Sequence, residues 1–454
     1  MQEILNNLKI LNSLKNYNYQ RLHMPGHKGI EEIFPDSIKN AYPYFDVTET
    51  IYTDDLLNPS GFIKEFLEDI NDFFGSGYSF LSLQGSTHLL QSCIAALSKP
   101  FGSILINRDA HRSIYSIAKI LKLDIDYIFP QYDSRLGIYT YINAEEFEKS
   151  LRETKSEIVI ITSPSYYGVN QDIKTFAKLS KRYNKKLIVD QAHGGYYKFA
   201  GKQTALDEGA DICIVSLHKT LPCPNQSALL LSNLNDNRRL SEILVSLHTS
   251  SPSFVLLMWS EYGIEFSKRF GKRLYHDVLR MLDEISLPVL IYTNHRLRNV
   301  DKLKLLLNFR DLGFGLEDIK ALLSKYSIVP ESIDAGRILF YFSFMDSLSN
   351  FENLKSFFYD IISKKDKLKE ETFSLPPRPK KVLKIYEVDE YKKTKLKLKD
   401  AAGRVCAKAI VPYTPGCPVV VEGEVIDKDA IEYLAAIFGN HFIEENEVDV
   451  IDER

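Results

Sequence analysis

KLIVDQAHGG at 186–195 and DICIVSLHKT at 211–220 decide the fold. Each carries a short run of aliphatic and β-branched residues and closes on polar ones. Asp190, Gln191 and His193 follow the first run; Ser216, His218 and Lys219 follow the second. A run that is apolar at every position reads as a strand buried on both faces. Upstream, SILIN (103–107), DYIFP (126–130) and EIVIITSP (157–164) read the same way, and SALLLS (227–232) lies downstream. The stretches 112–122 and 172–184 between them carry helical periodicity. Strands alternating with helices predict an α/β unit with a mostly parallel sheet and right-handed crossovers. Such a sheet binds ligands at the carboxyl ends of its strands, where these polar residues stand.

Further along, 275–290 reads as a helix leading out of this unit. A smaller α/β unit then follows: helices at 301–307 and 316–325, a strand at RILFYFS (337–343) and a helix at 349–363. A charged stretch, KKDKLKEE (364–371), and a Pro-rich one, SLPPRPKK (374–381), connect it to a C-terminal α+β unit. There VLKIYEV, AGRVCAKAIVPYTPG and PVVVEGEVID read as strand-like pieces. The expected boundaries are 1–285, 286–370 and 371–454. At the N-terminus, Ile4, Leu8, Leu11 and Leu14 predict an amphipathic helix.

Composition narrows the function classes. Of 454 residues, 44% are apolar and 26% charged, which suits large soluble cores. Lys and Arg number 57 against 60 Asp and Glu, a net charge of −3. No strong field draws such a chain to nucleic acid or to an anionic membrane. Apolar runs are short, as at Phe254–Trp259, whereas a spanning helix needs about 20 such residues. The first residues lack a secretory apolar core. Five cysteines (Cys93, Cys213, Cys223, Cys406, Cys417) form no CxxC pair. Neither a metal nor a disulfide framework is expected, and a reducing cytoplasm is the expected setting.

Three local features carry chemistry. Lys219 follows a strand in Ser216-Leu217-His218-Lys219; alone, a lysine there is usually a solvated surface residue. Asp190 ends the neighbouring strand, where a carboxylate either caps the next turn or meets a cation, since an unpaired buried charge costs several kcal/mol. Gly85-Ser86-Thr87 opens a helix at 88–96, whose free N–H groups and dipole favour a phosphate. In this order, phosphate turn, strand-end Asp, then strand-end Lys, they suit pyridoxal 5'-phosphate: the lysine ties the cofactor, Asp190 pairs with its ring nitrogen, and the helix N-terminus takes its phosphate.

At these residues the chain resembles the short, Gram-positive-type Orn/Lys/Arg decarboxylases. The resemblance spans nearly the whole length. It runs through HMPGHKG (23–29), FDVTET (45–50), DDLLNPSG (54–61), FLSLQGST (80–87), NRDAHRS (107–113) and SPSYYGV (163–169). VDQAHGG (189–195), SLHKTLP (216–222), TSSPSF (249–254), LPPRPKK (375–381), AAGRV (401–405) and PYTPGCPVVVEGE (412–424) continue it. It implies a fold-type-I, aspartate aminotransferase-like large domain and a basic amino acid as substrate, converted to a polyamine precursor and CO2. It implies Lys219 as the cofactor-bound lysine, Asp190 as the pyridinium partner, His111 as the ring-stacking residue and His193 as a ring-proximal group. Gly85, Ser86 and Thr87 match the phosphate grip, with Ser216 and His218 adding donors. Thr249, Ser250 or Ser251 match a stretch that reaches a phosphate in the neighbouring subunit, which implies a homodimer or a higher oligomer with a shared active site.

The chain departs from the family pattern at Leu217, at PCPNQ (222–226), at His88-Leu89-Leu90 and at Glu422, where proline is usual. These departures bear on pocket shape, and so on substrate. The distal cation of a basic substrate needs an acid; Glu49, Asp54, Asp55 and Glu424 are the candidates, and His27 and Lys28 are basic residues that could border the site. No arginine stands in a catalytic context except Arg108 and Arg112 beside His111, which favours decarboxylation over transamination, where an arginine clamps the carboxylate. Another fold-type-I enzyme, an aminotransferase or lyase, and a catalytically silent cofactor-binding homologue are the alternatives.

Overall fold

A computed structural model of the chain describes residues 19–452, except 41, 43, 44, 51, 349–350, 364–371 and 413–415. The helix expected at Ile4–Leu14 and the charged connector lie outside the described residues. The central sheet has seven strands: β1 (Tyr78–Ser82), β2 (Ser103–Asn107), β3 (Asp124–Ile128), β4 (Ile158–Thr162), β5 (Lys186–Asp190), β6 (Ile212–Ser216) and β7 (Ala228–Ser232). Their spatial order is β1-β7-β6-β5-β4-β2-β3. All neighbours pair in parallel except β7, which runs antiparallel to both β1 and β6.

Side chains alternate across the sheet, as a period of two requires. Leu105, Val159, Ile161, Leu187, Val189, Cys213 and Val215 join one core layer. Their neighbours Ile104, Ile106, Ile158, Ile160, Ile188, Ile212 and Ile214 join the other. Both layers are covered, so both sets are apolar, and this is why the strands read as unbroken hydrophobic runs. Helices α1 (Phe62–Phe74), α4 (Ala144–Glu153), α5 (Ile173–Arg182) and α7 (Phe254–Ser286) cover the first layer. Helices α2 (Gly85–Leu97), α3 (Arg112–Ile120) and α6 (Arg238–Leu247) cover the second.

The smaller unit differs from expectation at one element. Residues 301–307, expected as a helix, hold strand β8 (Lys304–Asn308), antiparallel to β10 (Arg337–Tyr341), with β9 (Ser332–Ile333) on its other side. Lys304 through Asn308 are all buried, so Leu305, Leu306 and Leu307 serve both faces of a sheet rather than one face of a helix. Helices α8 (Leu316–Lys325) and α9 (Glu352–Ser363) pack on it through Ile319, Leu322, Phe357 and Phe358. The N-terminal segment joins this unit, Gln20–Leu22 pairing in parallel with Ile328–Pro330.

Of the three C-terminal pieces expected as strands, VLKIYEV leads into a 3-10 turn at Glu387–Glu390, and the other two form only isolated bridges, such as Val405 with Val425 and Ile410 with Val420. Gly403, Gly416 and Gly423 take positive φ there and break regular pairing. The regular ladder is β11 (Lys393–Lys397) with β12 (Glu447–Ile451). It packs with α10 (Lys428–Phe438) and α11 (Asn440–Glu445) on Leu398, Cys406, Ile426, Leu434 and Val450. Among the described residues no helix is long and apolar enough to cross a membrane, and no cluster could hold a metal ion.

Candidate active site

The parallel strands β1, β2, β4, β5 and β6 all deliver their carboxyl ends to one edge of the sheet, and the predicted residues follow directly from these ends. After β5, the backbone of Gln191 donates to Ile214 O at 2.8 Å, and this ties the Asp190 corner to β6. Gly195 sits so close to β6 that a Cβ would stand 2.6 Å from Ser216 O; only glycine lets these two loops touch. After β6, the lysine loop is braced from outside. Gly26 N donates to His218 O at 2.8 Å, and a Cβ on Gly26 would stand 2.6 Å from Leu221 O.

These loops enclose a cavity of about 250 Å3. Gly85, Ser86, Thr87, His111, Asp190, His193, His218 and Lys219 all line it. Ser216 stands one step back, its hydroxyl donating to Ser86 Oγ at 2.9 Å. Gly85 has φ +77° at the start of α2, a left-handed turn that leaves the first N–H groups of the helix facing outward. Ser250 does not line the cavity of its own chain. It is exposed, beside Thr249, whose N–H donates to Gln84 Oε1 at 3.2 Å. That places the 249–251 stretch next to the phosphate turn.

Electrostatics fits the geometry. Asp190 is buried, and burial raises its carboxyl above the ordinary range while Lys219 pulls it back. Among the described residues its carboxylate accepts one hydrogen bond, from Ala192 N at 3.1 Å. Burial likewise lowers the Lys219 amine, and Asp190 opposes this across the cavity. The two form no direct ion pair; the amine instead sits 3.3 Å from His193 Nε2. His111 caps α3, its Nδ1 held by Ser113 Oγ at 2.9 Å. Burial, then Lys219, lowers its pKa to about 4, so its ring is uncharged at neutral pH. Burial also lowers His218 to about 4, with its Nδ1 3.0 Å from Ser227 O.

The residues present fit pyridoxal phosphate. An amine whose charged form is disfavoured by burial faces the cavity. A buried carboxylate stands apart from it, with lone pairs to spare. An uncharged imidazole offers a face, and a helix N-terminus with two hydroxyls offers an anion cradle. Thr162 Oγ1, at the end of β4, lines the cavity and has no hydrogen-bond partner, as expected where a polar group is meant to sit.

Several wall residues escaped the sequence reading. Arg337 comes from β10, but its guanidinium is taken by Asp334 and by the carbonyls of Leu136 and Gly137. Arg108 donates to Val419 O and Glu424 Oε2, both at 2.9 Å, with both side chains of the pair buried. Arg108, already named beside His111 from the sequence, and Arg337, which was not, both line the cavity; carboxylates and carbonyls engage them, although Arg108 Nη1 has no hydrogen-bond partner among the described residues. Asp109, half-buried between Arg108 and His111, accepts from Asn107 Nδ2 at 2.7 Å and has no cationic partner among the described residues. A run of strand-end polar residues gave the signal for Asp109; nothing local marked Arg337. Pro412, Cys417, Val419, Tyr433 and Phe438 bring the C-terminal unit over the cavity.

The acids expected for the substrate are placed elsewhere. Asp54 accepts from the backbone of Asp55, Ser60, Gly61 and Ile63, and so organises the start of α1. Asp55 accepts from Leu57 N and Glu49 from Thr48 Oγ1, and neither lines the cavity. Glu424 is spent on Arg108. Lys28 is buried behind the site, donating to His23 O at 2.8 Å and Tyr341 O at 2.7 Å, with Asp346 3.7 Å away. Of the departures from the family pattern, Leu217 and Cys223 are core residues, with Cys223 packed against Gly263. His88 bridges Ser82 Oγ and Leu244 O; only Leu90 reaches the cavity wall.

Comparison with known proteins adds to this geometry. The family model for the Orn/Lys/Arg decarboxylase major domain matches residues 8–289, and that for the C-terminal domain matches residues 371–442. An arginine decarboxylase of Bacillus subtilis is 27% identical over 438 residues, covering 91% of this chain and 89% of its own. An arginine decarboxylase of Bacillus anthracis is 26% identical over 441 residues, covering 91% and 89%. In fold, the chain resembles a lysine decarboxylase of Francisella novicida, with TM-score 0.71 at 17% identity, over 94% of this chain and 78% of that one.

Proposed function

The chain belongs to the Orn/Lys/Arg decarboxylase family, whose members are pyridoxal-phosphate-dependent amino-acid decarboxylases, and from that premise we propose that it decarboxylates lysine, arginine or ornithine. The observation that carries this reading is the convergence of Lys219, Asp190, His193, His111 and Ser86 on one cavity. When bound, pyridoxal phosphate supplies an electron sink for the pair released from the Cα–carboxylate bond. Lys219 would hold the cofactor and give it up to the substrate amine. Asp190 would keep a proton on the ring nitrogen. His111 would pack against the ring, and Ser86, Thr87 and the N–H groups of α2 would hold the phosphate, with Ser216 orienting Ser86. His193 takes or returns a proton at Lys219 Nζ.

Asp109 supplies the counter-charge for the distal cation of the substrate. It is an acid of the wall with no cation of its own, and burial raises its carboxyl, so a bound ammonium or guanidinium relieves an unfavourable charge. Asp109→Asn is expected to raise KM for the preferred basic amino acid about tenfold or more while kcat changes less, as for one lost charge-assisted contact. Steady-state kinetics with lysine, arginine and ornithine measures this; an unchanged KM would assign Asp109 to the wall alone.

The protein is proposed to act in the cytoplasm as a homodimer or larger assembly, with residues 249–251 reaching the neighbouring site. Support comes from the exposure of Ser250 beside the phosphate turn and from cysteines that are all unpaired. The division at 1–285, 286–370 and 371–454 is supported by separate central, small-unit and C-terminal sheets, with Gln20–Leu22 crossing to pair with the smaller unit. The decisive test is CO2 release from each of the three amino acids by the purified chain with pyridoxal phosphate, with the amine products identified by mass spectrometry. Turnover of at least one is expected; none at all would refute the proposal.

A further inference from the structure

Tyr341, the last residue of β10, lies more than a hundred residues beyond the lysine loop, yet its hydroxyl reaches the ring of His193. Its Oη is 2.5 Å from the backbone oxygen of Tyr166 and 3.3 Å from His193 Nδ1. A carbonyl oxygen can only accept, so the single phenol hydrogen goes to Tyr166 O. Toward the imidazole the phenol oxygen can then only accept, and Nδ1 must carry the hydrogen. A neutral imidazole has one N–H, so the remaining lone pair is on Nε2, 3.3 Å from Lys219 Nζ.

We infer that Tyr341 is a positioning residue that fixes His193 in its Nδ1–H tautomer and thereby aims a proton acceptor at Lys219. The rest of the surroundings supports this arrangement. His193 is kept uncharged by burial and by the positive charges of Lys219 and Lys304 around it. Lys304 Nζ holds the His193 carbonyl at 2.8 Å, and Asp301 pairs with Lys304 at 2.9 Å, which anchors the backbone that carries the ring. Tyr341 is held from behind, since Lys28 Nζ donates to its carbonyl. The HMPGHKG segment thus acts through the scaffold and not through contact with the cavity. Tyr166 Oη donates to Glu331 at 3.3 Å, and Asp301, beyond Lys304, is the other acid on this side.

The proton step balances simply. An N–H bond of the Lys219 ammonium breaks, and its electron pair stays on Nζ. A new N–H bond forms at His193 Nε2, and the positive charge moves to the imidazolium. The neutral amine left behind is the form that bonds to a carbonyl carbon. Reversal returns the proton when the lysine is released.

This inference rests on Lys219 being the cofactor-bound lysine, but its first test does not. Histidine-selective 15N NMR of the full chain, assigned through His193→Gln, reads the tautomer directly. His193 is expected as the Nδ1–H form in the parent protein and as a mixture, or the Nε2–H form, in Tyr341→Phe. In the same variant the rate at which added pyridoxal phosphate attaches to the cofactor-free chain is expected to fall about tenfold near neutral pH, with its pH profile displaced upward by about one unit. A merely structural role would slow attachment without moving either the tautomer or the profile. An Nε2–H form in the parent protein overturns the inference, and so does an unchanged spectrum in Tyr341→Phe. Should that variant fail to fold, the parent spectrum alone decides. Loss of attachment in Lys219→Ala reports separately on the role of the lysine.

Discussion

Lys219→Ala is expected to abolish CO2 release and the visible absorbance of the lysine-bound cofactor, leaving a folded chain. The alanine removes the amine that holds the cofactor, and no neighbour can replace it: Lys304 is turned away onto Asp301 and His193 O, and Lys28 onto Asp346 and Tyr341 O. Losing a covalent catalyst of this kind costs several orders of magnitude in rate. The fold should survive, because Lys219 makes no ion pair within the described residues and its amine is destabilised by burial. Spectral titration with pyridoxal phosphate, turnover assays and circular dichroism separate the three outcomes. Retained turnover would remove Lys219 from the chemistry and with it the whole assignment of the site.

Asp190→Asn is expected to lower kcat by about a thousandfold while cofactor and substrate still bind. A carboxylate in contact with a cationic nitrogen is worth about 5 kcal/mol at an effective dielectric near 20, and the loss of most of this appears in the barrier. Stability should move the other way. Burial raises the Asp190 carboxyl above its ordinary value of 3.8, so the folded chain binds that proton more tightly than the unfolded one. Its contribution to stability is therefore fully present below that value and lost as pH rises through the folded one; at neutral pH the ionised carboxyl is a cost. Asparagine removes the charge and can still accept from Ala192 N. Thermal melts of the cofactor-free protein near pH 7 are thus expected to show Asp190→Asn as stable as the parent or more so. If activity and stability fall together, Asp190 is a turn cap and not the ring partner.

The site was largely legible because its residues follow strands that are buried on both faces. Such strands show as uninterrupted aliphatic runs, and the first polar residues after them mark the ligand edge. The same reasoning failed at 301–307, where four leucines among charged residues suit a helix face as well as a strand; only pairing with β10 decided between them. It failed again at Asp54 and Glu424, because a carboxylate in a family-like segment does not announce that backbone amides or an arginine have claimed it. Arg337 and Tyr341 were hidden for a different reason. They come from a separate sheet, Arg337 to the cavity and Tyr341 to His193, and RILFYFS gives no sign of which side chains turn toward Asp334 and His193. The C-terminal wall was hidden by its glycines, which replace regular strands with bridges.

Lys28 ties residues more than three hundred positions apart in the chain, since its partners are the backbone of Tyr341 and the carboxylate of Asp346. Every strand of the central sheet has left the ribosome long before those partners are made. A nascent chain can therefore own its lysine, its aspartate and its phosphate turn and still lack the brace that sets their imidazole.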